Sequence, residues 1–251
     1  MSKYDVKASF VAIIGDQKSG KSVFLNKLLD LPDDRGYNTD NSEGLLMWSV
    51  PYYLKKENRL IFFIECSEFS KNEGEDSLFA LVFCMCSMII YNVLGEPNEK
   101  VLTNLSLMGL LGTTVKDMKK TNPPKLVWTI RDVNEKTIQQ TIDGNFSQTQ
   151  KIDNKFMDFA KKNIDFKKMF VTVNDFFPEK ACYYLPKAVE ANATPNKEFI
   201  KSMCTLRNLI EDQIAGKIIY DTVLNARMML TFINSALETI RDKNVIDLIY
   251  W

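Results

Sequence analysis

The sequence predicts a three-layer α/β/α fold, a mostly parallel central sheet with helices on both faces, and three observations predict it. Apolar runs recur at Phe10–Ile14, Leu60–Ile64 and Lys125–Ile130, as in strands covered on both sides. Stretches with helical apolar spacing lie between such runs, and alternation of this kind builds a parallel or mixed sheet. No internal repeat, low-complexity tract or linker divides the 251 residues, a length that fits one large α/β domain better than two average ones.

Phe10–Ile14 (FVAII) ends in a glycine. Ser22–Leu29 follows as a helix, with Val23, Phe24, Leu28 and Leu29 at a three-to-four-residue spacing. Arg35–Gly44 is polar and reads as a loop. Leu45–Val50 and Leu60–Ile64 read as strands joined by the charged turn Lys55–Asn58, and residues 65–76 are acidic and polar. Leu78–Leu94 predicts one long buried helix ended by Gly95 and Pro97. Its apolar part, Leu78–Ile90, is well short of the ~20 residues that cross a bilayer, so no transmembrane segment is expected. Glu99–Leu111 reads as the next helix. Asn122-Pro123-Pro124 is a stop signal before the strand Lys125–Ile130. Lys151–Lys162 has helical spacing, and Met169–Val173 reads either as a short strand or as a helix end. Ala181–Leu185 is the last expected strand, Pro186–Asn196 a loop, and Glu198–Asp212 and Lys217–Lys243 two closing helices.

Composition excludes several kinds of chemistry. Lys plus Arg and Asp plus Glu number 32 each, so no net field points to a nucleic acid or an anionic membrane. The chain has no histidine, which removes Ser–His and Cys–His nucleophiles and the usual zinc ligands. Its five cysteines form no C-x-x-C pair. With no signal peptide at the N-terminus they read as buried free thiols of a reducing compartment, which makes the expected location cytoplasmic.

Gly15-Asp16-Gln17-Lys18-Ser19-Gly20-Lys21-Ser22 matches G-x-x-x-x-G-K-[ST] without departure, between an apolar strand and an apolar-faced helix. The glycines allow a tight turn and close backbone approach. Successive N–H groups and the helix N-terminus, through Val23, then face phosphate oxygens. Lys21 reaches the β- and γ-phosphates, and the Ser22 hydroxyl ligates Mg²⁺. Such loops serve GTPases, ATPases and kinases alike, so the base must be read elsewhere. Trp128-Thr129-Ile130-Arg131-Asp132 ends a strand at the edge where ligands bind in an open α/β sheet. A carboxylate there accepts two hydrogen bonds from N1–H and N2–H₂ of guanine, which adenine lacks. A surface aspartate that merely begins a loop is the alternative.

The Thr129-Ile130-Arg131-Asp132 sequence resembles the T-[IL]-R-D of the guanylate-binding protein and atlastin group of dynamin-like large GTPases. Ser42-Glu43-Gly44-Leu45-Leu46-Met47-Trp48-Ser49-Val50-Pro51 is similar to that group's first switch segment. Phe79-Ala80-Leu81, Tyr91-Asn92-Val93-Leu94-Gly95, Phe176-Phe177-Pro178, Tyr183-Tyr184-Leu185 and Phe232-Ile233-Asn234-Ser235-Ala236 extend the resemblance over essentially the whole chain. It implies one P-loop NTPase-type GTPase domain over residues 1–251 that binds GTP and GDP with Mg²⁺ and hydrolyses GTP. It implies Ser42 as a switch hydroxyl closing on the metal, Arg131 and Asp132 holding guanine, a cap over the base from Pro186–Asn196, and nucleotide-dependent homodimers.

Two departures bear on rate. The pattern's arginine finger is Lys18 here, which cannot fork across two phosphate oxygens. The pattern's D-x-x-G is Glu65-Cys66-Ser67-Glu68, so Glu65 would meet the metal through a longer arm and Glu68 stands where a glycine amide meets the γ-phosphate. The expected activity is therefore a GTPase, with a weakly catalytic nucleotide-binding interaction module as the alternative and a P-loop kinase or ATPase as a third reading.

Overall fold

A computed structural model describes residues 6–16, 19–30, 45–66, 75–95, 97–112, 120–132, 148–188 and 196–242. Strand β1 (Lys7–Gly15) is buried from Ala8 onward and lies in the middle of a seven-stranded sheet. It pairs in parallel with β4 (Arg59–Cys66) on one side and β5 (Met88–Leu94) on the other. Beyond β5 follow β6 (Lys125–Arg131) and β7 (Lys180–Leu185), also parallel. At the opposite edge β2 (Leu45–Met47) and β3 (Tyr52–Leu54) both run antiparallel to β4. The three-layer, mostly parallel architecture expected from the sequence is the one observed.

Strand alternation explains why β1 is apolar throughout. Val11 and Ile13 point to one face, into a core with Phe24, Leu25 and Leu28 of α1 (Lys21–Leu28) and Phe199, Met203 and Leu206 of α6 (Lys197–Gln213). Phe10, Ala12 and Ile14 point to the other face. There they meet α2 (Glu75–Met85), α3 (Glu99–Gly112), α4 (Gln148–Lys162), α5 (Ile164–Phe176) and α7 (Ala226–Arg241) through residues such as Leu81, Leu105, Phe156, Val173 and Phe232. Helix α6 also ties α1 in place: Arg207 Nε donates to Leu28 O at 2.6 Å, supplying a donor to the open end of the first helix.

Three expectations are corrected and one, the third below, is decided in favour of helix. Leu78–Leu94 is not one helix: α2 stops at Met85 and Met88–Leu94 is strand β5, next to β1. Both halves are continuously apolar, so periodicity does not separate them. What ends the helix is tertiary, since Lys217 Nζ donates to Phe83 O and Cys86 O, each at 3.2 Å. Second, the charged turn Lys55–Glu57 leads into β4 from a separate strand, β3; the strand expected over Leu45–Val50 ends at Met47. Third, Met169–Val173 lies inside α5, whose N-cap Asn163 accepts from Asp165 N. Fourth, Lys217–Lys243 is not one helix. Ile218–Ile219 and Thr222–Val223 form a hairpin, β8–β9, turning through Tyr220 and Asp221 at positive φ, and Asn225 then caps α7.

All five cysteines are free; four are buried and Cys204 is exposed. Among the described residues no helix is long and apolar enough to cross a membrane.

Candidate functional site

The carboxyl ends of β1, β5 and β6 meet the start of α1, and the residues singled out in the sequence converge there. Gly15 is the last residue of β1, and the Ser19 N–H donates to Asp16 O at 3.1 Å, closing a turn. Gly15 faces Asn92 of β5 so closely that a Cβ would lie 2.3 Å from Asn92 O, so only glycine fits. Gly20 forms the N-cap of α1 in the left-handed region (φ 72°). Among the described residues no side chain caps this helix, and its first turn contains no acidic residue to offset the positive end of its dipole. Lys21 is buried, its Nζ donating to Gly15 O at 3.1 Å and Asp16 O at 3.0 Å. Val23 follows on the exposed side of the first turn. A fixed charge beside open helix N–H groups forms a receptor for an oxyanion.

Ser22 and Glu65 stand together beside this cradle. The Ser22 hydroxyl is 2.9 and 2.8 Å from the two Glu65 carboxylate oxygens and donates to them. Burial pushes the Glu65 carboxyl above its usual range, against the pull of the Ser22 hydroxyl and the Lys21 charge. The two residues line a crevice of about 10 Å³ with Asn26 and Trp48, and the buried Asn26 Oδ1 has no hydrogen-bond partner among the described residues. An all-oxygen set with a partly desolvated carboxylate and an unsatisfied amide oxygen suits a hard, hydrated cation such as Mg²⁺.

Asp132 follows directly on β6, exposed and with φ 61°. The sequence reading puts Arg131 against guanine; in the structure Arg131 Nη1 donates to Ser19 O and Gly20 O, both at 3.0 Å. The guanidinium therefore ties the end of β6 to the start of α1. Burial lowers its pKa, and the Asp132 charge opposes that. Gln17, Lys18, Ser42, Glu68 and residues 189–195 of the expected cap lie outside the described residues.

Asn92 and Asn26 join the site although sequence reasoning did not single them out. An asparagine interrupting the apolar run MIIYNVL is a signal, but it was hidden while that run was read as a helix.

Comparison with known proteins follows this geometry. The family profile described as "Guanylate-binding protein, N-terminal domain" matches residues 1–215. Guanylate-binding protein 2 of Mus musculus is 25% identical over 237 residues, covering 83% of this chain and 38% of the relative. Guanylate-binding protein 2 of Homo sapiens is 26% identical over 203 residues, covering 69% of this chain and 33% of the relative. The chain thus spans little more than a third of the length of these relatives. Among solved structures, Methanosarcina barkeri Roco2 RocCORdC bound to GDP aligns over 89% of this chain and 53% of its own, with a TM-score of 0.44 and 12% identity. An Aquifex aeolicus Era variant bound to GDP.AlF4- aligns over 84% of this chain and 58% of its own, with a TM-score of 0.41 and 14% identity.

Proposed function

The chain belongs to the guanylate-binding protein family, and from that premise we propose that it binds GTP and GDP and hydrolyses GTP as one domain in the cytoplasm. The observation that carries this reading is the uncapped, acid-free start of α1 with Lys21 folded against it. That is a preorganised receptor for a polyphosphate, and Asp132 sits at the neighbouring strand end to accept from the guanine edge. Gly15, Asp16, Gln17, Ser19, Gly20 and Val23 contribute the loop around the phosphates, and Arg131 holds that loop.

Ser22 and Glu65 would hold Mg²⁺, with Ser42 as the further hydroxyl. The ion would supply neutralising charge to the phosphates. Lys21 and Lys18 add positive charge as water adds to the γ-phosphorus and the bond to the bridging oxygen breaks. Binding at this face would pair two copies of the chain. Gel filtration should show a dimer with a non-hydrolysable GTP analogue and a monomer with GDP; identical monomer profiles in both would remove the dimer from the proposal.

Base choice is tested at Asp132. Asp132→Asn should weaken GDP about 100-fold, by loss of two charge-assisted hydrogen bonds. It should regain affinity for xanthosine diphosphate, whose O2 accepts where guanine donates. Calorimetry showing equal GDP affinity for parent and variant would refute the assignment.

A second reading, a nucleotide-holding interaction module with little turnover, is favoured by one observation. Glu65, a methylene longer than the expected aspartate, closes directly onto Ser22. Steady-state phosphate release from the parent no faster than from Lys21→Ala would select it.

A further inference from the structure

The underside of the phosphate loop carries a relay of buried side chains that begins in the T-I-R-D stretch. Thr129, fully buried on β6, has its hydroxyl 3.5 Å from both Asn92 Oδ1 and Tyr91 O, two acceptors for its one proton. With that hydroxyl beside Oδ1, the Asn92 amide turns Nδ2 to the loop. There Nδ2 donates to Ser19 O at 3.0 Å and to Ser19 Oγ at 3.1 Å, with both residues buried. The same Ser19 carbonyl receives Arg131 Nη1, which also reaches Gly20 O, itself the acceptor of the first helical bond from Phe24 N at 2.9 Å.

The consequence follows from peptide geometry. In a trans peptide the carbonyl of one residue and the N–H of the next point in opposite directions. Holding the Ser19 carbonyl down toward β5 and β6 turns the Gly20 N–H outward. Holding the Gly20 carbonyl does the same for the Lys21 N–H. Two of the donors that face the anion are therefore aimed from behind, by side chains that do not touch it. Gly15 and Asn92 are paired neighbours on β1 and β5, so the start of the loop and the backbone of Asn92 lie side by side.

The geometry points to Asn92 as a positioning residue of the phosphate site, oriented by Thr129 and acting through the Ser19 carbonyl. This deepens the nucleotide reading above and rests on it. The first residue of the T-I-R-D stretch then aims the phosphate donors through Asn92, its arginine does so directly, and its aspartate reads the base.

Asn92→Leu keeps the volume and removes both donors. Thr129→Val removes the orienting hydroxyl, and Thr129→Ser restores it. Calorimetric titration with GDP and magnesium should show affinity at least about tenfold weaker for Asn92→Leu, and about threefold weaker for Thr129→Val, with Thr129→Ser close to the parent. The preference for GDP over ADP should hold in all of them, because Asp132 is untouched. A merely structural role predicts something else: a lower melting temperature without nucleotide, and parent-like GDP affinity below it. That result for Asn92→Leu would overturn the inference and leave the nucleotide reading standing. If Asn92→Leu does not fold, equal GDP affinities for Thr129→Val, Thr129→Ser and parent would overturn it. A folded parent that binds no guanine nucleotide would overturn both readings at once.

Discussion

Replacement of Lys21 by alanine should lower affinity for GDP and GTP by about 100-fold or more while the nucleotide-free protein stays folded. The side chain is 6% exposed, and its two described hydrogen bonds go to loop carbonyls, Gly15 O and Asp16 O. These bonds hold its ammonium against the loop, where the proposed anion would arrive. A charge-assisted hydrogen bond contributes about 1.5–3 kcal/mol, and one or two lost to phosphate oxygens give the stated factor. The loss should be much smaller for guanosine, which has no phosphate to contact. Titration calorimetry of parent and variant with GDP checks this. Comparable GDP affinities would mean that the open start of α1 is not a phosphate site.

The second large effect is expected far from that site. Lys217 is completely buried. Its Nζ donates to Asn122 O at 2.6 Å and to Phe83 O and Cys86 O at 3.2 Å, and it lies 5.9 Å from the centre of the Phe83 ring. One ammonium therefore closes the C-terminal end of α2 and joins it to the segment before β6, where Asn122 Oδ1 also accepts from Ile218 N at 2.7 Å. Lys217→Met keeps the length of the side chain and leaves these carbonyls without their donor. Stability should fall by about 3 kcal/mol, roughly 6–12 °C in melting temperature for a chain of this size. GDP affinity measured well below the transition should not change.

The same lysine gives a pH signature. Burial lowers its pKa to about 8, with the nearby Cys84 and Cys86 opposing the shift. Above pH 8 the unfolded chain binds more protons at this residue than the folded one, so the parent gains about 1 kcal/mol between pH 7.5 and 9, relative to Lys217→Met. The thiols act in the opposite sense. Burial raises both Cys84 and Cys86 to about 12, so stability falls in parent and variant alike as pH rises past 9. Urea unfolding midpoints at pH 7.5 and 9 test it; parallel curves for parent and variant would show that Lys217 keeps its proton throughout.

Local pattern carried what local chemistry determines. The joint between β1 and α1 was legible because strand end, turn and helix start are consecutive residues. β1, β4 and β6 were legible because a strand covered on both faces is apolar at every position. The boundary between α2 and β5 was not, because the donor that ends the helix is Lys217, more than a hundred residues downstream. Strand β3 was hidden by its length of three residues. The contacts of Arg131 were illegible for a similar reason: its partners, the carbonyls of Ser19 and Gly20, lie 112 and 111 positions earlier. Asn92 became interpretable only when its segment proved to be a strand that places it beside Gly15.

The bond from Arg207 to the last carbonyls of α1 has a consequence for how the protein is made. The first helix leaves the ribosome early, but the arginine that completes it is synthesised 179 residues later. At ~5–20 residues per second that interval is on the order of 10–35 s. Throughout that interval the apolar side of α1 lacks α6, so Phe24, Leu25 and Leu28 are without the Phe199, Met203 and Leu206 that cover them in the finished fold.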